Sequence, residues 1–167
     1  MKTIAFRILL SLSAFVAPAL FSACDAPISE YAPGGPDEKE ILSVVMQYQE
    51  AKNHFDIDRL LSFLHNGGTF TFKCGMMVSK AKLGKDLPVL WAALQEGDSS
   101  VIPLVHECIN GDCYKTGALY NPKVVIDGDK AEVTVLYKKS VCKVLEYFTM
   151  CRENGRWLIT KTEWGHC

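Results

Sequence analysis

The sequence predicts an α+β domain, helices first and an antiparallel β-sheet after. Three observations carry this. Apolar residues recur at helical spacing between residues 37 and 97, and they alternate at strand spacing through most of 101–165. Two Asn-Gly pairs, at 110–111 and 154–155, interrupt the strand-like half where tight reversals belong.

At the N-terminus, Lys2 and Arg7 precede an apolar run from Ile8 to Phe21, which ends in Ser22-Ala23-Cys24. A positive start, a short hydrophobic middle and small residues before a cut make a secretory signal. A membrane-spanning helix needs about 20 apolar residues; this run is shorter and contains Pro18. The stretch Leu20-Phe21-Ser22-Ala23-Cys24 resembles a bacterial lipoprotein lipobox, although Phe21 stands where leucine is usual. The resemblance implies acylation of Cys24, which then opens the mature chain. A plain secreted protein is the alternative. Each buried CH₂ of an acyl chain contributes ~0.8 kcal/mol, so two chains would hold a soluble domain at a bilayer facing the periplasm. Asp25 resembles an inner-membrane retention signal of enterobacteria-like lipoproteins, with the outer membrane still open.

This divides the chain into a signal peptide over 1–23, a lipid-anchored linker over 24–36 and a domain over 37–167. DAPISEYAPGGPD, with Pro27, Pro33 and Pro36, reads as a tether lifting the domain off the membrane. Removing 23 of 167 residues leaves 144, enough for one domain with its own core. Lys2 and Arg7 leave with the signal, so 16 basic residues face 19 acidic ones, a net charge of −3. That mild acidity, without a basic patch, excludes nucleic acid as an expected partner.

Along the domain, Ile41, Val44, Val45, Tyr48 and Ala51 or Lys52 follow one face of a helix spanning 37–53, with acids in its first turn. His54-Phe55-Asp56-Ile57 breaks it. Asp56 or Asp58 caps a second, short helix over 58–64, which Asn66-Gly67-Gly68 stops. Residues 69–74 alternate as a strand. Residues 83–97 read as a third helix, with Pro88 in its first turn and Gly97 ending it. Strands are expected over 101–108, 113–120, 122–127, 130–139, 143–153 and 156–165.

Six cysteines follow Cys24, and an even set in an exported chain reads as disulfides. If Asn154-Gly155 is a two-residue turn, facing residue numbers sum to 309 and Cys142 meets Cys167 at a closely spaced site. The same reasoning about Asn110-Gly111 pairs Cys108 with Cys113. Cys142 and Cys151 lie roughly 30 Å apart on one strand and cannot join, so elimination pairs Cys74 with Cys151. One β-bulge would spoil either register. A metal reading competes through His106-Glu107-Cys108 and His166-Cys167, but no Cys-x-x-Cys and no helical His pair supports it, and neither metal nor cofactor is expected.

VVMQYQEAKNHFDIDRLLSFLHNGGTFTF and, near the end, KVVIDGDKAEVTVLYKK with FTMCRENGRWLITKTEW resemble the nuclear-transport-factor-2-like (NTF2-like, cystatin-like, SnoaL-like) superfamily over about residues 38–164. The resemblance implies a strongly curved antiparallel sheet wrapped round a long helix and enclosing a conical pocket. Such domains include isomerases, dehydratases and hydrolases and many that only bind, so the fold alone assigns no activity. Ketosteroid isomerase-like members place a general-base Asp just after the first strand; Phe72-Lys73-Cys74-Gly75-Met76-Met77 holds no carboxylate there.

The candidates for chemistry are few. Asp56 and Asp58 read as caps, and His54 and His65 as helix-end residues. His106, Tyr137, Glu146 and Glu163 are the acid–base candidates. In the 309 register Glu146 faces Glu163, and facing like charges would raise one carboxyl unless Lys161, Lys143 or Lys138 neutralises the patch. Leu145, Tyr147, Leu158 and Trp164 share one hairpin face, a candidate pocket wall or partner surface. The reading that needs no catalytic constellation is an envelope lipoprotein that binds a small apolar ligand or a protein partner, a second copy included. An enzyme using His106, a carboxylate or Tyr137 is the alternative, and an envelope immunity or inhibitor protein a further one.

Overall fold

The computed structural model describes residues 25–72, 76–96, 117–139 and 142–165. Helix α1, Pro36–Asn53, opens with a proline after Gly35, carries Asp37 and Glu38 in its first turn and Lys52 in its last. All three features suit the helix ends they occupy. Its inward face buries Ile41, Leu42, Val45, Tyr48 and Ala51. Phe55, with φ of 56°, turns the chain and packs its ring edge-on against Trp91 at 5.2 Å. The Asp56 side chain then accepts from the Arg59 amide at 3.0 Å and caps α2, Ile57–Ser62, as the sequence suggested. Helix α3, Lys80–Glu96, starts earlier than expected, which leaves Pro88 inside it rather than in its first turn. Leu83, Leu87, Leu90 and Trp91 form its buried stripe.

Six strands make one sheet: β1 (Leu64–Phe72), β2 (Met76–Ser79), β3 (Ala118–Asp127), β4 (Lys130–Lys139), β5 (Cys142–Glu153) and β6 (Arg156–Trp164). Their order is β2-β1-β6-β5-β4-β3. The neighbours are antiparallel except β1 and β6, which run parallel, a departure from the wholly antiparallel expectation. The curved sheet and the helices enclose a core that includes Phe70, Val133, Val135, Phe148, Met150, Trp157 and Ile159. His65 lies on β1 rather than at a helix end, its Nδ1 accepting from the Gly67 amide at 3.1 Å.

Asn154 and Gly155 both take positive φ, 51° and 74°, as a tight reversal requires. From that turn to Met150↔Ile159 the facing numbers sum to 309; from Thr149↔Lys161 onward the register has slipped by one. Thr160 is the extra residue, and everything past it moves to the other face. Glu146 therefore faces Trp164, and Glu163 faces Tyr147, which corrects the expected Glu146–Glu163 opposition. Trp164 now shares the inner face with Phe148 and Met150, while Leu145, Tyr147 and Leu158 stay on the outer one.

The disulfide expectations fare unevenly. Cys108 and Cys113 lie outside the described residues, as does Cys167, so the two register-based bonds are not visible. The 309 register that suggested Cys142–Cys167 holds only near the turn. Cys151 is a half-buried thiol facing Leu158, without a disulfide partner among the described residues. Cys74 lies outside the described residues, so its bond with Cys151, reached only by elimination, is not visible either.

The tether is corrected as well. Ile28 is buried in the core and Pro27 bridges Tyr120 at the free edge of β3. The Tyr31 hydroxyl donates to Glu38 at 2.7 Å, and Glu38 also accepts from the Gly34 amide. The stretch over 25–34 is part of the domain because Ile28 supplies an apolar anchor and Glu38 ties the loop behind it.

Candidate functional site

Lys52 sits on the stripe of α1 that otherwise faces the core, one turn after Tyr48. A cation there needs a partner, and β5 provides it. Glu146, 4% exposed, accepts from Lys52 Nζ at 2.8 Å and from Trp164 Nε1 at 2.8 Å, both on Oε1. The bulge at Thr160 makes this possible by turning Trp164 inward. The ammonium also lies 5.3 Å from the Tyr137 ring centroid and 5.2 Å from that of Trp164, within cation–π range of both. Glu146 Oε2 is buried with no hydrogen-bond partner among the described residues. Tyr48 stands behind the pair, edge-on to Phe148 at 5.9 Å. Burial pushes its phenol well above the ordinary tyrosine range, the Glu146 charge adds to this, and a bond with Thr162 works against it.

Lys52, Tyr137, Val144, Glu146 and Trp164 enclose a cavity of about 20 Å³, room for one water. The cone is filled by its own side chains at this level. Its carboxylate already holds two donors, and its ammonium is held by that carboxylate and two rings.

A larger space lies on the other side of α1. Pro27, Ile28, Ser29, Met46, Gln49, Glu50, Asn53, Ala118 and Leu119 line a groove of about 250 Å³ between the docked N-terminal segment and the helix. Met46, Gln49, Glu50 and Asn53 recur at helical spacing, so one helix face forms its wall. Gln49 is 4% exposed; its Nε2 donates to Asn53 Oδ1 at 2.9 Å, while its Oε1 is buried without a partner among the described residues. Asn53 in turn donates to the Gly117 carbonyl at 3.3 Å.

Of the residues singled out in the sequence, Glu146, Tyr137 and Trp164 meet in the small cavity. Glu163 is exposed on the outer face and bound to Lys161 at 2.7 Å, the neutralised patch that the sequence offered as an option. Leu145 and Tyr147 are about two-fifths exposed on that same outer face, and Leu158 is half-buried there. His106 and His166 lie outside the described residues, and His54 caps the end of α1 in solvent. Lys52 and Gln49 were missed as site residues. The signal for both was present, since each puts a polar group on an otherwise apolar helix face.

No protein-family model and no curated protein matches the chain. Solved structures do. A Nostoc punctiforme protein of unknown function with a cystatin-like fold superposes with a TM-score of 0.57 at 12% identity, over 80% of this chain and 93% of its own. The fold is NTF2-like. Two NTF2-like proteins agree: one from Cytophaga hutchinsonii (TM-score 0.56, 15% identity, 80% of this chain and all of its own) and one of unknown function from Pseudomonas putida (0.55, 14%, 78% and 87%). At these identities the likeness covers the NTF2-like cone and its curved sheet, and the activity rests on the side chains.

Proposed function

We propose that this chain is a lipid-anchored bacterial envelope protein whose NTF2-like domain binds a small, largely apolar ligand in the groove between α1 and residues 27–29. The observation that carries this is the buried Gln49 Oε1, without a partner among the described residues, in the wall of a groove of about 250 Å³. Apolar walls from Ile28, Met46 and Leu119 with one convergent polar group are the usual make-up of a small-molecule site. The ligand carries a hydrogen-bond donor for Gln49, because an acceptor left unmade in a buried site costs ~1–3 kcal/mol. The envelope address is supported by the lipobox-like Leu20–Cys24 stretch. Binding is favoured over acid–base catalysis because Glu146 and Lys52 neutralise one another in a space of about 20 Å³, too small for a substrate.

Native mass spectrometry of the full protein purified from its own membrane tests both halves. The expected spectrum shows acyl mass on the Cys24 peptide and a retained small molecule that Met46→Trp, which fills the groove, displaces. A spectrum without bound mass in wild type, or bound mass unchanged in Met46→Trp, would remove the groove from consideration.

A further inference from the structure

Asp25 is joined directly to Cys24, and consecutive Cα atoms are about 3.8 Å apart. Asp25 and Ala26 are tied to β3 and β4. The Asp25 carboxylate pairs with Lys138, lies 3.6 Å from Lys143 Nζ and accepts from Asn121 Nδ2 at 2.8 Å. The Ala26 amide donates to Asn121 Oδ1 at 2.8 Å, and the Asn121 amide returns a bond to the Ala26 carbonyl at 2.9 Å. The bond from Lys138 holds the Asp25 carboxyl below its ordinary range.

Lys138 and Lys143 face each other directly across β4 and β5, an unfavourable pairing by itself. The Asp25 carboxylate between them makes the opposition tolerable. Further along the same outer face come Leu145 and Tyr147, 40% and 39% exposed, with Leu136 opposite Leu145. Lysines with apolar stems, an aliphatic residue and a tyrosine suit the headgroup zone of a bilayer.

We infer that the outer face formed by Lys138, Lys143, Leu145 and Tyr147 lies directly on the membrane surface, against anionic headgroups, because the clamp on Asp25 leaves the lipid anchor no slack. This rests on the lipid-anchor reading proposed above. A free linker of twelve residues would let the domain stand roughly 40 Å away in any orientation. Here one residue separates acyl chain from folded domain, so acyl chains in the bilayer bring this face with them.

The test is lysine acetylation, followed by peptide mass spectrometry, of the full acylated protein on vesicles containing phosphatidylglycerol. Lys39 and Lys85, exposed on α1 and α3, serve as internal references. Lys143, whose side chain is 64% exposed in the free chain, is expected to react at least fivefold more slowly than the references. A ten-residue Gly-Ser insertion between Cys24 and Asp25, which leaves the clamp intact, should restore its rate. Acyl mass on Cys24 with Lys143 as reactive as Lys39 would overturn the inference alone. An intact mass lacking acyl chains would overturn the anchor reading and this inference with it.

Discussion

Lys52 and Glu146 bury a charge pair with side-chain exposures of 16% and 5%, and such pairs are asymmetric to mutation. Removing one partner strands the other, at a cost of about 3–5 kcal/mol, whereas replacing both costs little. Lys52→Met should therefore lower the urea midpoint strongly, and adding Glu146→Gln, which still accepts from Trp164, should return most of the loss; two additive losses would show that the pair is not coupled. Tyr48 gives a pH prediction. Its folded pKa lies above the unfolded value of about 10, so the native state holds its proton longer than the unfolded chain. The contribution is complete below pH about 10 and is lost as pH rises beyond it. Tyr31, bonded to Glu38, shifts in the same direction, so the contrast that matters is Tyr48→Phe against wild type. Stability measured from pH 8 upward should fall less steeply in Tyr48→Phe, and parallel curves would place the alkaline loss elsewhere. Both residues were legible in part. Tyr48 lies on the expected helix stripe, and Lys52 was ambiguous there because a cation among core positions becomes intelligible only when its partner, 94 residues on, is known.

Elements in this fold are joined where two strands bend together. On β1 the pairing with β6 slips between Leu64 and Thr69, and on β6 Thr160 is the extra residue. Gly68 is the contact between these irregularities: a Cβ there would come 2.6 Å from the Thr160 carbonyl and 2.5 Å from Phe70 Cζ. Backbone on one side and a fully buried ring on the other leave no cheap adjustment. Gly68→Ala should then destabilise by about 1–3 kcal/mol, the usual cost of overpacking, read as a lower chemical-denaturation midpoint with an unchanged slope. An Ala variant as stable as wild type would mean that the bulge can relax. The turn at Asn154-Gly155 was readable because both residues tolerate positive φ. The bulge six residues later was not, since Thr160 is a good strand residue and a one-residue slip leaves the alternation of each half intact. That invisible slip decided which carboxylate met Trp164. The four-residue edge strand β2 escaped for a simpler reason: Met76–Ser79 is too short to display a period.

Across the whole molecule the class of fold was set by patterns that repeat over many residues, and those survive local error. What the pattern could not reveal was where the domain begins. Proline-rich composition over 25–36 looked like a tether, yet Ile28 is 9% exposed in the core and Pro27 extends the edge of β3. Composition measures the average of a stretch, while docking depends on a single apolar residue with a place to go. The consequence is testable without any membrane. A chain beginning at Ala32 should be less stable than one beginning at Asp25 by about 2–3 kcal/mol, the worth of burying one isoleucine. At this domain size that corresponds to a melting temperature roughly 10 °C lower. Ile28→Ser in the longer chain should reproduce most of the drop, since the core contact rather than the added length carries the energy. Equal melting temperatures for the two chains would return residues 25–31 to the role of a tether, and with them the close apposition of β4 and β5 to the bilayer would go.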